Sequence, residues 1–263
     1  MNKIIIIAFI SALLAVIALG YPEEYGPFPS NKKPKPFPLQ ECVELKSFND
    51  GNEVTWVYAK DTNAVDKVVI SQSENDFQYV VKLQTASGKE IFPETKIDGS
   101  PMCGLTVYYG FLNEDKHVDY VIETWSGGCG LAAYYSYLSF FLSSEDNYHM
   151  VCATTLDSDP NDFVDLNKDG RAEWIHTAFI YGEEGKDNKP HNYWVHNLLQ
   201  FKKNQIVSAN YLDSRFPSWI WYTFKPNHKN TTQLTGEQKK RMWAQQAKGL
   251  FPNSETLAKE QMR

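Results

Sequence analysis

The chain has 263 residues, of which 42% are hydrophobic and 14% aromatic. This composition supports a substantial apolar core and excludes an intrinsically disordered chain. The 26 basic and 32 acidic residues give a formal net charge of −6, which disfavours a nucleic-acid-binding protein because such proteins are usually basic. Four cysteines are too few for a disulfide-scaffold miniprotein.

Residues 1–20 have the pattern of a secretory signal peptide. Lys3 precedes an uninterrupted apolar run, and the small residues Ala18 and Gly20 predict cleavage after Gly20. The alternative is an uncleaved membrane anchor, for which the apolar run is short. No later stretch is long and uncharged enough to span a membrane. We therefore expect a periplasmic or secreted protein of bacterial type, with no membrane span after cleavage.

Export to an oxidising compartment also affects how the cysteines are interpreted. An even number of cysteines in such a compartment favours two disulfide bonds. Three pairings are possible, and the sequence does not choose among them. The residues are Cys42, Cys103, Cys129 and Cys152.

Residues 21–38 form a separate region that carries six of the 13 prolines. Repeated proline fixes φ and removes backbone donors, so this region is expected to be an extended arm or linker. A globular domain is predicted to follow over residues 39–224.

Short segments rich in branched and aromatic residues dominate the chain as far as about residue 210. Clusters of Asn, Asp, Gly, Ser and Lys separate them, a pattern typical of β-strands joined by turns. The fold class predicted is all-β, a propeller-like or related set of repeated antiparallel sheets, with a sandwich or barrel as alternatives. The eight predicted strands are 54–58, 67–70, 79–83, 106–109, 120–125, 134–142, 174–181 and 193–201.

The tail, residues 225–263, differs from the rest of the chain. Thr235 and Gln238 form a capping box, which predicts a short C-terminal α-helix that ends near Lys248. The tail has eight basic and three acidic residues, 8 − 3 = +5, whereas residues 21–224 have 17 and 29, 17 − 29 = −12. An ordinary helix packed on the β domain accounts for this charge, and a docking tail for an acidic partner is the alternative.

The best-defined motif is DLNKDGRAE, residues 165–173. Calcium prefers six to eight oxygen ligands, and alternate positions of a tight loop can converge on one ion. Gly170 permits the chain to reverse, but position 12 of an EF-hand loop is His176 rather than glutamate. A turn without metal is the alternative to one structural Ca²⁺. The predicted ligands are the side chains of Asp165, Asn167, Asp169 and Glu173 and the main-chain carbonyl of Arg171.

This loop and the apolar strand after it resemble the calcium-binding loops of FG-GAP and VCBS repeats. In those families each repeat is a blade of a β-propeller, so the resemblance implies a propeller-like fold with a structural calcium ion. The resemblance covers nine residues.

A degenerate form of the motif recurs twice. In residues 113–122 the polar positions are kept, but Phe111 and Lys116 replace the first Asp and the Gly, so a lysine ammonium or nothing is expected in place of the ion. A poorer copy covers residues 60–69. Asp66, Asp119 and Glu173 are 53 and 54 residues apart, a spacing that fits a blade-sized repeat, with chance similarity as the alternative.

One enzyme hypothesis remains open. Gly128-Cys129-Gly130 and the segment 176–181 resemble NlpC/P60 cell-wall cysteine peptidases, in which a cysteine nucleophile acts with a histidine base. The expected serine after the cysteine is Gly130, which weakens this match. The alternative makes Cys129 a disulfide partner and His176 a strand residue.

Binding is the function that the sequence favours over catalysis. Trp219, Trp221 and Tyr222 are the densest aromatic group and a candidate partner surface, with core packing or glycan binding as alternatives. Periplasmic β proteins with such calcium loops include immunity proteins that inhibit peptidoglycan hydrolases. The resemblance therefore implies an envelope or secreted protein as partner, for example a cell-wall hydrolase whose basic cleft would accept an acidic domain.

Overall fold

Strands account for nearly all regular structure in the described residues. The structure is a computed structural model, and it describes residues 26–28, 33–51, 53–73, 78–127, 135–144, 147–156, 158–184 and 188–221. The predicted signal peptide, Cys129, Tyr222 and the tail with its predicted helix lie outside these ranges. Within them, no helix is long and apolar enough to cross a membrane.

Fifteen strands in the described residues form three antiparallel sheets. The first sheet contains β2 (Val43–Asp50), β3 (Glu53–Ala59), β4 (Asp66–Ser73), β5 (Gln78–Thr85) and β6 (Glu90–Asp98). The second contains β1 (Gln40–Glu41), β7 (Leu105–Gly110), β8 (Asp119–Trp125), β9 (Tyr135–Ser144) and β10 (Asn147–Leu156). The third contains β11 (Phe163–Val164), β12 (Glu173–Glu184), β13 (Pro190–Lys202), β14 (Gln205–Ser208) and β15 (Ser218–Trp221).

The predicted fold class is confirmed, and so are all eight predicted strands. All three sheets contain a run of four strands in which each strand pairs with the next one along the chain. These runs are β3 to β6, β7 to β10 and β11 to β14. The strands β4, β8 and β12 begin at the three acidic residues of the sequence repeat. Consecutive antiparallel meanders are the strand order of propeller blades, so the fold is compatible with the propeller-like expectation.

The second sheet lies between the other two and buries both of its faces. Val121 and Phe140 pack in the cluster shared with the third sheet, whereas Ile122 and Phe141 pack in the cluster shared with the first sheet. Alternate residues of a strand point to opposite faces, so β8 and β9 need apolar side chains at nearly every position. The near-continuous apolar character of these two strands therefore places them at the centre of the molecule.

The end of the arm predicted from its prolines runs along the edges of the sheets. We call residues 36–42 the strap. The Phe37 N–H donates to Phe163 O of the third sheet at 2.7 Å, β1 pairs with β7 of the second sheet, and the Cys42 N–H donates to Val107 O at 2.7 Å. Phe37 is only 8% exposed and packs between the second and third sheets. The strap thus covers sheet edges that would otherwise be unpaired.

Candidate functional site

Three equivalent loops precede the strands β4, β8 and β12. We call them loop 1 (residues 60–65), loop 2 (residues 111–118) and loop 3 (residues 165–172). Loop 3 carries the predicted calcium motif. The first residue of the following strand is Asp66, Asp119 or Glu173, so an acidic side chain lies at the base of each loop.

Loops 2 and 3 contain the same internal hydrogen bonds, shifted by 54 residues. The Leu112 N–H donates to Asp119 Oδ2 at 2.6 Å, and the Leu166 N–H donates to Glu173 Oε2 at 2.7 Å. Each loop also contains two Asx turns in matching places. In loop 2, Asp115 N–H donates to Asn113 Oδ1 (3.1 Å) and His117 N–H donates to Asp115 Oδ1 (2.9 Å). In loop 3, Asp169 N–H donates to Asn167 Oδ1 (2.9 Å) and Arg171 N–H donates to Asp169 Oδ1 (3.0 Å). The sequence repeat therefore corresponds to a structural repeat in these two loops.

Loop 1 keeps only part of this pattern. The Asn63 N–H donates to Asp61 Oδ1 at 2.7 Å, an Asx turn of the same kind that lies one residue farther from the following strand than the second Asx turn of the other two loops. This partial match agrees with the weaker sequence similarity of the third copy.

Asp165 distinguishes loop 3 from loop 2. Its two carboxylate oxygens accept the N–H groups of Asp169 and Gly170, both at 3.1 Å. Lys168 and Gly170 have φ angles of 61° and 82°, a left-handed backbone that glycine adopts without strain and that turns the loop around this carboxylate. In loop 2 the equivalent position is Phe111, which is exposed and has no oxygen to offer.

Ser143 of β9 closes loop 2, and the sequence gave no indication of this contact. Its N–H donates to Asp119 Oδ1 at 2.7 Å, and its Oγ lies 2.8 Å from both Asp119 Oδ1 and Asp115 Oδ1. Lys116, the residue expected to supply an ammonium here if anything did, is exposed to solvent, and the hydroxyl of Ser143 is the group that contacts both carboxyl groups. A serine contributed by a different strand cannot be recognised from the loop sequence alone.

Loop 3 has no such hydroxyl. Tyr120 pairs with Phe141 across β8 and β9, and Trp174 pairs with Leu199 across β12 and β13. Ser143 lies two residues after Phe141 in β9, and Phe201 lies two residues after Leu199 in β13. Phe201 is therefore the counterpart of Ser143. Phe201 is buried in the apolar cluster and carries no hydroxyl, so its side chain cannot close loop 3 as Ser143 closes loop 2.

The acidic residues at the base of loops 2 and 3, Asp119 and Glu173, are buried, and burial is the largest influence on the pKa of each. Burial raises the pKa of Asp119 to about 6, although four hydrogen-bond donors favour its ionised form. A hydroxyl has one proton, so the two short Ser143 contacts are both satisfied when the Asp119 carboxyl group is protonated. Burial also raises the pKa of Glu173, and the nearby charges of Asp169 and Asp165 raise it further.

The chemistry of loop 3 fits a hard cation. The charges of Asp165 and Asp169 are close enough to Glu173 to raise its pKa, and a calcium ion would offset this repulsion. In the structure these carboxylates accept backbone N–H groups, and among the described residues no group of three or more His, Cys, Asp or Glu side chains forms an assembled metal site. The groups that would hold the ion are the five predicted ones, namely the side chains of Asp165, Asn167, Asp169 and Glu173 and the carbonyl of Arg171.

The three loops lie side by side at one end of the sheets. Arg171 Nη1 of loop 3 is 3.3 Å from Glu114 Oε1 of loop 2. Lys60 Nζ of loop 1 lies 5.9 Å from the ring centre of Phe111 in loop 2. The ion pair and the cation–π contact therefore join neighbouring loops into one surface, although exposed contacts of this kind contribute little stability.

His176 is a buried residue of β12. It is 2% exposed, its Nε2 lies 2.9 Å from Thr154 O of β10, and burial lowers its pKa to about 4. This placement agrees with the assignment as a strand residue. Cys129, the cysteine that the peptidase hypothesis pairs with His176, lies outside the described residues, so the structure does not describe the Cys129–His176 pair.

The described cysteines are free thiols, contrary to the expectation of two disulfides. Cys42, Cys103 and Cys152 are all unpaired, and two disulfides among four cysteines would need all three of these to be bonded. Cys42 is buried between the first and second sheets, and burial raises the pKa of its thiol to about 12.

The predicted aromatic surface is described only in part. Trp219 is 2% exposed and packs against Tyr193 and Val195, with ring centres of Trp219 and Tyr193 5.7 Å apart. Core packing, the alternative assignment, therefore describes Trp219. Trp221 is the last residue of β15, and Tyr222 lies outside the described residues.

Comparison with known proteins gives no match to a protein family, to a curated protein or to a solved structure.

Proposed function

We propose that this chain is an exported, non-enzymatic β protein in which loop 3 binds one structural Ca²⁺ and the folded domain acts as a protein-binding module. The supporting observation is the contrast between two loops with the same backbone hydrogen bonds. Loop 2 is closed by Ser143, whereas loop 3 has Phe201 in that place and one additional carboxylate, Asp165. A cation would supply the closing interaction that loop 3 lacks within the protein.

The ion's role in this proposal is structural. Calcium would be held by oxygen ligands of loop 3 and would stabilise the folded state because the unfolded chain has no assembled site. The loop connects β11, which receives the strap at Phe163, to β12, which is central to the third sheet. Ordering the loop would therefore stabilise the position of these two strands.

Thermal unfolding with calcium or with a chelator tests the metal site. At a calcium concentration 100 times the dissociation constant, binding adds about 2.7 kcal/mol, equivalent to an increase of about 5–10 °C in Tm for a domain of this size. Asp169→Ala should abolish the increase. Asp61→Ala is the control, because it removes an Asx turn of the same kind from loop 1 and should leave the calcium response intact. An unchanged Tm in wild-type protein would contradict the proposed site.

The partner we propose is a basic envelope or secreted protein, with a peptidoglycan hydrolase as the leading example. Residues 21–224 carry 17 basic and 29 acidic residues, 17 − 29 = −12, and opposite charge accelerates association in a salt-dependent way. Calorimetry against purified cationic peptidoglycan hydrolases, at low and at physiological salt, tests this part. Saturable binding with inhibition supports an inhibitor or immunity protein, whereas hydrolysis of purified cell wall by this chain alone would favour the peptidase hypothesis.

A further inference from the structure

Two buried polar nitrogens lie on the same face of β12. Trp174 is 0% exposed and His176 is 2% exposed, and residues two apart on a strand project to the same side. Neither Trp174 Nε1 nor His176 Nδ1 has a hydrogen-bond partner among the described residues. An unpaired buried donor or acceptor costs about 1–3 kcal/mol, so a pair of them calls for a physical explanation.

The contacts of His176 determine which nitrogen carries the proton. Its Nε2 lies 2.9 Å from Thr154 O, and a carbonyl oxygen can only accept, so Nε2 is the donor. Because the neutral ring has one N–H, Nδ1 is left with a lone pair. Trp174 Nε1 can only donate. The two unpaired atoms are therefore one donor and one acceptor.

The two rings are neighbours on this face and meet edge to face, with their centres 5.3 Å apart at an interplanar angle of 78°. One molecule that makes two hydrogen bonds of about 2.9 Å can join nitrogens up to about 6 Å apart, so it can bridge polar atoms at the rims of two such rings. The other rings recorded around Trp174 are those of Phe140 and Phe163, which have no polar atoms. Among these neighbouring rings, only that of His176 has a polar atom to which a bridging molecule could connect the Trp174 N–H.

We propose that a water molecule is bound inside the protein between the second and third sheets, accepting from Trp174 Nε1–H and donating to His176 Nδ1. The bridging group must accept and donate at once. A cation is disfavoured by the Trp174 N–H, and an anion by the lone pair on His176 Nδ1. Water meets both requirements with two polar partners, the minimum that internal water molecules have.

This water would extend the polar connection between the two sheets. His176 already bonds to Thr154 of β10, and the adjacent Thr177 N–H donates to Thr155 Oγ1 at 3.1 Å. The water adds Trp174 to this set and so ties an apolar part of the sheet interface to its polar part. Such internal waters are integral to a fold and exchange slowly with solvent.

Nuclear magnetic resonance of the wild-type full chain, ¹⁵N-labelled, tests the proposal. The first expected result is a His176 ring that is protonated at Nε2 only. The second is a pair of cross-peaks between water and the Trp174 indole proton that have opposite signs in NOE and ROE spectra, as a long-lived bound water gives. The partly exposed Trp56 indole is the control, because surface water exchanges too quickly to give that signature. Through-bond experiments assign both indoles, so the decision does not depend on any variant folding.

Trp174→Phe provides a second test, because it removes the only donor to the water and keeps a ring in place. The variant should lose the long-lived water, and the His176 Nδ1 resonance should shift as its hydrogen bond is lost. A His176 ring protonated at Nδ1 would overturn the proposal, as would a Trp174 indole proton with no water cross-peak. A high-resolution crystal structure with no water molecule within hydrogen-bond distance of both nitrogens would overturn it equally.

Discussion

His176→Gln should reduce the acid sensitivity of this protein. Burial lowers the pKa of His176 from its ordinary value of 6.5 to about 4, so below pH 6.5 the unfolded chain binds a proton that the folded protein does not. The free energy of unfolding therefore falls as pH decreases through this window and is regained as pH rises. Glutamine keeps an N–H group that can reach Thr154 O, and it cannot titrate.

The size of the effect follows from the two pKa values. Between pH 7 and pH 5 the His176 contribution to the free energy of unfolding falls by about 2 kcal/mol, and by about 3 kcal/mol at still lower pH. Asp119 acts in the opposite direction. Its pKa is raised from 3.8 to about 6, so its protonation stabilises the fold by about 1 kcal/mol between pH 7 and pH 5. The pH dependence of the wild-type protein alone is therefore not diagnostic.

Urea unfolding of wild-type and variant protein at both pH values isolates the His176 contribution. The loss of stability from pH 7 to pH 5 should be about 2 kcal/mol greater for wild-type protein than for His176→Gln. His149→Gln is the matched control, since His149 is exposed on β10 and contacts water in both states. Equal losses in wild-type protein and His176→Gln would refute the assignment of His176 as a neutral buried residue.

Three further predictions concern the strap, loop 2 and the thiols. Phe37→Ala should cost about 3 kcal/mol in urea unfolding, because it empties a buried site between two sheets; an unchanged midpoint would show that the strap does not contribute to the core. Ser143→Ala should cost about 1–3 kcal/mol and raise the pKa of Asp119 further in a carbon-detected titration, because the carboxyl loses its hydroxyl donor; an unaltered titration would mean that the contact is not made. In folded protein Cys103, which is exposed, should be alkylated by iodoacetamide, and Cys42, which is buried with its thiol pKa raised to about 12, should react only after unfolding; equal rates would contradict the burial of Cys42.

The central strands were predictable from sequence because burial on both faces leaves a strong apolar pattern. The segments 120–125 and 134–142 correspond to β8 and β9 at the middle of the molecule. Edge strands escaped prediction for the opposite reason. β2, with sequence VELKSFND, is largely polar. β6 contains Pro93; a proline makes a segment look unlike a strand in the sequence, although a strand at a sheet edge tolerates it.

The sequence was enough to predict which residues act together within one loop of the candidate site, but not which residues of other strands contact that loop. Local spacing identified the acceptors of loop 3 and their counterparts in loop 2, because Asx turns join residues two positions apart. Ser143 is 24 residues from Asp119, and their contact depends on the register of β9 against β8. The strap was missed similarly, because proline content predicts an extended chain but not the sheet edges that it covers.

The same loop backbone is therefore completed in two chemically different ways. In loop 2, a serine from the neighbouring strand bonds to two carboxyl groups, which limits their repulsion when one of them is protonated. In loop 3, the neighbouring strand presents Phe201, and Asp165 adds a further negative charge. Adding a carboxylate while removing a hydroxyl donor destabilises a loop unless a cation compensates for it. If that reasoning is correct, Asp165→Asn should stabilise the protein in chelator and destabilise it in calcium, whereas loss of stability to the same extent in both would show that Asp165 serves only as an acceptor for the backbone.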